Sequence, residues 1–562
     1  MALITLTRAV RSIASVRRAV TVFGKYGFGP TLSRLGIQRS GGGIAPEYRD
    51  APMPVRLRAA LEELGPTYVK LGQTLSMRPD LIDASFIEQF KQLQDNVRPI
   101  ASDEITAVIT DTLGAPPEDL YESFDLEPLA AASIGQVHRA RVRDEAGELQ
   151  EVVVKIRRPG IRALVDEDLR TLSLIADALV KYIPETRAFN PVGLVDEFFK
   201  TISRELDFRE EAANIKEVGN FFVAQDDAFM VIPTVYPHLS GESVLTMSLL
   251  DGVPLSDEAR IQALPCDLKE VATQGGLRIL DLIFKHGVFH GDLHSGNVFV
   301  FEDGRLGLID FGIVGRLDER GQEQVANLLL CLVNGDFHRA SRIYAELGNA
   351  VNPEQPMAIA QFGRQLSNLW SPLRTRPLSE VNVGQTLLES SAAAARANIM
   401  LPQDMMILFK GVLTLEHMGH TLDPDFDVAG TLRGYMGTLI AQRFDPNRLQ
   451  RELMGASLDL YALGREAPEL ILRTLRRLGD DAVPVDLNVR RSQQLIETLS
   501  LSSNRLASAV VTAGLSVASA ILIAVDTQPF ATAFSYLGLT GILLAGFWGT
   551  GLLISMSKNP KG

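Results

Sequence analysis

The chain has 562 residues, 46% apolar and 22% charged, which excludes a collagen-like, wholly disordered or disulfide-stapled protein and implies three or four units at ~100–200 residues each. Its two cysteines, Cys266 and Cys331, form no CxxC pair, so a zinc or disulfide framework is ruled out and a reducing compartment is expected. The net charge of −13 argues against a nucleic-acid partner, while a mean hydropathy of +0.10 is slightly high for a soluble protein.

Residues 1–46 form a basic arm. Arg8, Arg11, Arg17, Arg18, Lys25, Arg34 and Arg39 give it +7 with no acid, leaving −20 for the remainder. Interleaved apolar residues make it a candidate amphipathic helix for an anionic membrane surface; a transit peptide and a solvated helix of the fold are the other readings. The Gly41–Gly43 run with Pro46 marks a hinge. Residues 50–115 carry helical periodicity. Within them YVKLGQTLSMRPD, 68–80, sets Lys70 and Gln73 one helical turn apart, able to project together.

An alanine-rich segment, LAAASIGQVH at 129–138, precedes a compact β-branched strand, EVVVKI at 151–156, which carries Lys155. Residues 191–222 read as one long helix, with Asn190 as N-cap and Pro191 in the first turn. It contains SRELDFREEAAN, 203–214, in which Glu205 and Glu211 are both candidates to pair with Lys155. From about 255 to 500 helical patterns dominate, apart from short strands near 298–301 and 306–310.

Leu506 to Val525 is a 20-residue run without a charge, long enough at ~1.5 Å per residue to cross a ~30 Å hydrocarbon core. Asp526, Gln528 and Pro529 interrupt it, and a second uncharged run, Phe530 to Met556, follows. Arg505 precedes the pair and Lys558 and Lys561 follow it, which predicts a transmembrane helical hairpin with both ends cytoplasmic. Gly541, Ala545 and Gly549 would allow close helix contact.

The chemistry is concentrated in HGDLHSGN, 290–297, and Asp310-Phe311-Gly312. Phosphoryl transfer from ATP needs a carboxylate near the acceptor oxygen and oxygen ligands for Mg²⁺. Asp292 fits the first role, and Asn297 and Asp310 fit the second. HxD, an asparagine five residues after its aspartate, and DFG at this distance form a specific compound signal. The usual glycine-rich loop is replaced by Ala130, Ala131, Ala132, Ser133, Ile134, Gly135, Gln136 and Val137. A Cβ at each alanine limits positive φ and close backbone approach to phosphates, so nucleotide is expected to be held differently from a protein kinase.

Together these blocks resemble the UbiB family of atypical kinases, the ADCK group, over roughly residues 30–440, with the hairpin matching bacterial members. Lys70-Leu71-Gly72-Gln73 stands for the family's K-x-G-Q block and Glu205–Asn214 for its E-L-D-[YF]-x-x-E-x-x-N block. The resemblance implies an α+β, protein-kinase-like two-lobed fold. Its expected parts are the arm 1–46, a helical K-x-G-Q extension at 47–115, an N-lobe at 116–250, a C-lobe at 251–440, a linker at 441–504 and the hairpin at 505–557. It implies catalytic or positioning roles for Asp292, Lys155, Glu211, Lys70, Gln73 and Glu205, with Glu211 as partner of Lys155 and Lys70 reaching the Glu205 region. Met247 joins the alanine segment and Lys155 in the nucleotide site. ATP and Mg²⁺ are the implied cofactors, and the implied activity is ATP hydrolysis supporting isoprenoid quinone (ubiquinone) biosynthesis. Implied partners are anionic phospholipids, quinone precursors, a quinone-biosynthesis enzyme complex and a second copy of the chain. The implied location is a bacterial inner membrane, with the kinase-like body on its cytoplasmic face. HGDLHxGN is similar also to antibiotic and choline kinases, which keeps a small-molecule or lipid phosphotransferase as the alternative, with a lipid-binding scaffold as the third reading.

Overall fold

The computed structural model describes residues 15–34, 44–93, 99–144, 146–350, 356–371, 382–443, 519 and 539–547. The chain divides into two compact units, Met1–Asp445 and Pro446–Gly562.

The described residues of the first unit start with helical residues 15–25, so part of the basic arm is built into the fold. Arg18 Nη2 donates to the carbonyls of Glu63 and Leu64, and Lys25 Nζ lies 2.6 Å from Glu63 Oε2. These cations sit at the C-terminal end of helix α1 (Met53–Leu64), where free carbonyls and the helix dipole favour positive charge. The hinge at Gly41–Gly43 lies outside the described residues. Helices α2 (Pro66–Ser76), α3 (Ala84–Phe90) and α4 (Ser102–Leu113) follow, as the periodicity predicts. Leu64, Tyr68, Val69 and Phe90 of this extension pack with Val165, Phe198 and Ile202.

The N-lobe is an antiparallel four-stranded sheet of β1 (Ser123–Ala131), β2 (Gly135–Arg143), β3 (Leu149–Arg157) and β4 (Val244–Ser248), in that order. Strand alternation sends Val152, Val154 and Ile156 to one face, where they bury against Ile105 and Ile109 of α4. Val153 and Lys155 are left for the opposite face. Between β3 and β4 run α5 (Ile161–Tyr182), α6 (Pro191–Glu205) and α7 (Phe208–Ala224).

The single helix expected over 191–222 is therefore two. Three contacts break it. Asp207 caps α7 by accepting from Arg209 N at 3.1 Å. Phe208 N donates to Glu242 O at 3.1 Å. The Arg157 guanidinium, at the end of β3, takes the Leu206 carbonyl. Two of these partners come from other elements, so local periodicity could not reveal the break.

The C-lobe places α8 (Leu268–Asp281), α9 (Glu319–Asn334), α10 (Phe337–Leu347), α11 (Pro356–Leu369), α12 (Val383–Arg396), α13 (Gln403–Leu422) and α14 (Val428–Arg443) around one apolar core. Short strands β5 (Val288–His290) and β8 (Val314–Arg316) pair with each other. Strands β6 (Val298–Val300) and β7 (Leu306–Leu308) pair as a hairpin. The α12–α13 contact contains a buried carboxylate. Glu416, 3% exposed, accepts from Val383 N and Gly384 N at 2.9 Å each, satisfying two free donors at the start of α12. Glu416→Ala leaves both donors buried and unpaired, so a stability loss of about 2–3 kcal/mol is expected. It would be read as a lower urea midpoint at unchanged m; an unmoved midpoint would refute it.

In the second unit the helix 539–547 exposes Leu539, Leu543, Leu544 and Phe547, while Ala545 is 3% exposed. Gly541 lies directly against Ser519. Among the described residues no helix is long and apolar enough to cross a membrane; most of the two uncharged runs lies outside the described residues.

Candidate active site

The inner face of the N-lobe sheet, α2, α3, α6, α7 and helices α12 and α13 enclose one cavity of about 1250 Å³. Lys155 enters from β3, paired in register with Val137 on β2 and Leu245 on β4. Its Nζ lies 3.0 and 2.9 Å from the two carboxylate oxygens of Glu211, 3.3 Å from Asp310 Oδ1 and 5.4 Å from the Phe208 ring centroid. Burial works against the ammonium, but Asp310 and Glu211 outweigh it, and the Lys155 pKa moves upward. Burial also lifts Glu211, to about 7, against the pull of Lys155. Asp310 moves the other way: Lys155 holds its carboxyl well below the usual range, overcoming burial.

Lys70 of α2 forms a second ion pair, with Glu205 at the end of α6. Burial opposes its charge, but Glu205 outweighs burial and the pKa rises. In one continuous helix Glu205 and Glu211, six residues apart, would be turned by roughly 240° from each other. The break at Leu206–Asp207 is what lets both carboxylates line the cavity. Two turns earlier on α6, Glu197 meets Arg78 at 3.4 Å, and Arg78 in turn holds Asp80 at 2.8 Å. The 68–80 block is thus fastened to α6 at two points.

The catalytic loop is set by His290. Its Nδ1 accepts from Asp292 N at 3.1 Å, and its Nε2 lies 2.9 Å from Ile309 O. Both bonds are satisfied together by the neutral Nε2–H tautomer. Burial pushes the ring pKa below its ordinary value, in keeping with that tautomer. Gly291 N donates to Ile313 O at 2.8 Å. A Cβ on Gly291 would come within 2.9 Å of that oxygen, so a side chain there would separate the catalytic loop from the DFG segment. Asn297 Nδ2 donates to Asp292 O at 3.0 Å, which leaves its Oδ1 for a cation. Ile309 N bonds Asn297 O at 3.0 Å, bringing the neighbouring Asp310 beside Asn297. Asp310 adopts φ +59°, the left-handed region, where aspartate and asparagine are the most tolerant non-glycine residues. Two hard oxygen donors opening on a cavity suit Mg²⁺ completed by water and phosphate.

Asn297, Asp310, Gln73, Met247, Ala130, Ala132, Ser133, Ile134, Gly135 and Val137 all line this cavity. Gln73 also donates to Leu93 O at 3.2 Å, which ties α2 to the chain beyond α3. Ala131 and Gln136, expected in the nucleotide site, do not line it. They face each other across the β1–β2 ladder, and the Gln136 side chain turns away to accept from Ile100 N at 2.7 Å. The loop between them closes with Ala132 N on Gly135 O at 2.8 Å and without a positive φ, as alanines require. Gly135 is fixed by proximity: a Cβ there would lie 2.5 Å from Ile156 O.

The chain is 32% identical over 502 residues to "Probable protein kinase UbiB" of Xanthomonas oryzae pv. oryzae, covering 87% of this chain and 88% of that one. The chain belongs to the UbiB family. The UbiB protein of Marinobacter nauticus, also named a probable protein kinase, is 32% identical over 80% of this chain and 81% of its own. Three family descriptions match in order: the ABC1 atypical kinase-like domain at 92–344, the UbiB helical domain at 366–427 and the ABC1/UbiB kinase-like C-terminal domain at 490–558. The kinase-like α+β fold follows from these. A Mycobacterium tuberculosis structure, "The complex structure of Rv3197-erythromycin", aligns at 24% identity and TM-score 0.41 over 65% of this chain and 90% of that one, too slight a likeness to carry weight.

Two further residues hold this UbiB-family site: Asn214, which the sequence offers only as the end of the Glu205–Asn214 block, and Lys410, which belongs to no motif. Asn214 of α7 donates to Phe311 O at 2.9 Å and accepts from Arg316 at 2.8 Å, pinning the DFG turn to the helix of Glu211. Lys410 of α13 donates to Asp292 Oδ1 at 2.8 Å. Burial would raise the Asp292 pKa, but Lys410 first, then His294 and Lys70, hold it below the ordinary value. One signal for Lys410 was available: it is a lone cation inside the apolar run MMILFKGVL.

Proposed function

We propose that this chain is a membrane-associated Mg²⁺-dependent ATPase that supports isoprenoid quinone biosynthesis by acting on, or presenting, lipid precursors. The observation that carries the reading is the shared cavity. Lys70 and Gln73 of the extension line the same space as Lys155, Asp292 and Asp310, so the acceptor side is walled by the chain's own helices. That favours water or a small acceptor over a protein substrate. Asn297 and Asp310 would hold Mg²⁺, which when bound neutralises phosphate charge. Lys155, oriented by Glu211, holds the α/β-phosphates, and Asp292 orients the acceptor oxygen and takes its proton. The volume of about 1250 Å³ also leaves room for a small-molecule or lipid acceptor, which supports phosphotransfer as the second reading.

Membrane association is supported by the two uncharged runs with flanking cations. The helix 539–547 supports it too, with small residues inward and leucines and phenylalanine outward. Purified full-length chain with Mg²⁺-ATP should release phosphate, and release should rise several-fold with phosphatidylglycerol vesicles over neutral ones. Equal rates on both would remove the lipid dependence. Mass spectrometry of quinone intermediates in a strain lacking the chain tests the biosynthetic role, and a normal profile would exclude it.

A further inference from the structure

Helix α13 delivers to the catalytic loop a cation that belongs to none of the kinase motifs. Lys410 lies 118 residues from Asp292 in sequence, yet donates to its Oδ1 at 2.8 Å. The other lysines of the site are already engaged. Lys155 is shared between both oxygens of Glu211 and Asp310, and Lys70 is paired with Glu205. An ammonium carries three donors. Among the described residues, Lys410 Nζ has Asp292 as its one acceptor, and its side chain, 30% exposed, lines the cavity. Two of its donors are therefore available to a ligand. Near the other oxygen of Asp292, Oδ2, stands His294 Nε2 at 4.0 Å.

We propose that Lys410 is a catalytic residue that binds the γ-phosphoryl oxygens on the acceptor side while the group is in transit; this rests on the ATP-using reading above. In the step, the acceptor oxygen of water or a hydroxyl forms its bond to the γ-phosphorus. The bond from that phosphorus to the bridging oxygen breaks, and its electron pair leaves with ADP. The acceptor proton passes to Asp292 Oδ2, because Oδ1 is occupied by Lys410. Charge on the equatorial oxygens would then face Asn297 and Asp310, which would hold Mg²⁺, on one side and the Lys410 ammonium on the other. The ion pair does two things at once: it fixes which Asp292 oxygen faces the acceptor, and it holds the ammonium beside the transferring group.

The test uses the full-length chain as wild type, Lys410→Met and Lys410→Arg, with Mg²⁺-ADP alone and Mg²⁺-ADP plus aluminium fluoride, which mimics the phosphoryl group in flight. Lys410→Met should keep ADP affinity within about threefold of wild type and lose roughly tenfold or more in affinity for the fluoride complex. Its phosphate release should fall roughly 10²–10³-fold in kcat with a much smaller change in KM. Lys410→Arg should recover part of both. Equal losses for ADP and the fluoride complex would mark a merely structural lysine and overturn the proposal, as would no loss for either. Wild type that binds no ADP at all would refute the ATP reading itself and this inference with it. Wild type that binds both probes while Lys410→Met is indifferent would refute the Lys410 assignment alone.

Discussion

Asp310→Asn is expected to cut phosphate release from Mg²⁺-ATP by roughly 10³-fold without unfolding the chain, in line with the loss of one preorganised charge at the transferring group. The substitution is conservative where it needs to be. Position 310 sits at φ +59°, a conformation asparagine adopts about as readily as aspartate. The backbone of the DFG turn is also held by Asn214 on Phe311 O. What the variant removes is a carboxylate charge that Lys155 holds well below the ordinary range, and with it the anionic oxygen that the proposed function assigns to Mg²⁺. Phosphate assays paired with a thermal melt would check it. Unchanged release from a folded variant would refute the metal assignment.

Glu211→Ala is the second large effect, this time on stability. Removing the buried carboxylate leaves a half-buried lysine with one of its two carboxylate partners, and breaking a buried pair costs about 3–5 kcal/mol. The lower end is expected here, because Asp310 still lies 3.3 Å from Lys155. The double variant Lys155→Met, Glu211→Leu removes both charges and should recover most of the stability, since apolar replacement of a buried ion pair is often neutral. It should not recover nucleotide binding. Denaturant midpoints and ADP titration separate the two outcomes. A double variant as unstable as Glu211→Ala would show that the pair is needed for folding itself.

Much of the N-lobe was legible because its signals are local. EVVVKI is β-branched and compact, and it forms the middle of β3. Asn190 accepts from Gly193 N at 3.2 Å, with Pro191 opening α6, as the capping pattern predicts. The spacing of Asp292, Asn297 and Asp310 identified a kinase-like loop because each residue type has its own chemistry. The errors share one cause. The periodicity over 191–222 is continuous and predicts one helix; the chain breaks there because Arg157 and Glu242 reach in from elsewhere. Gln136 falls within the alanine-rich nucleotide segment, but alternation along β2 buries its side chain on the opposite face of the sheet, against Ile100. Lys410 was passed over because nothing in its neighbourhood speaks of catalysis.

The amino-acid sequence by itself determined the kinase-like motifs and the strand that carries Lys155. It also set the two candidate glutamates and the uncharged runs at the C-terminal end. These rest on residue type, spacing and period, which act over a few residues. Tertiary structure pairs Glu211 with Lys155 and Glu205 with Lys70, the split that the family resemblance implies and that residue type and spacing leave open. It alone brought Lys410 to Asp292 across 118 residues. Side-chain pairing in a buried site depends on which surfaces long-range packing brings together, and no local pattern encodes that.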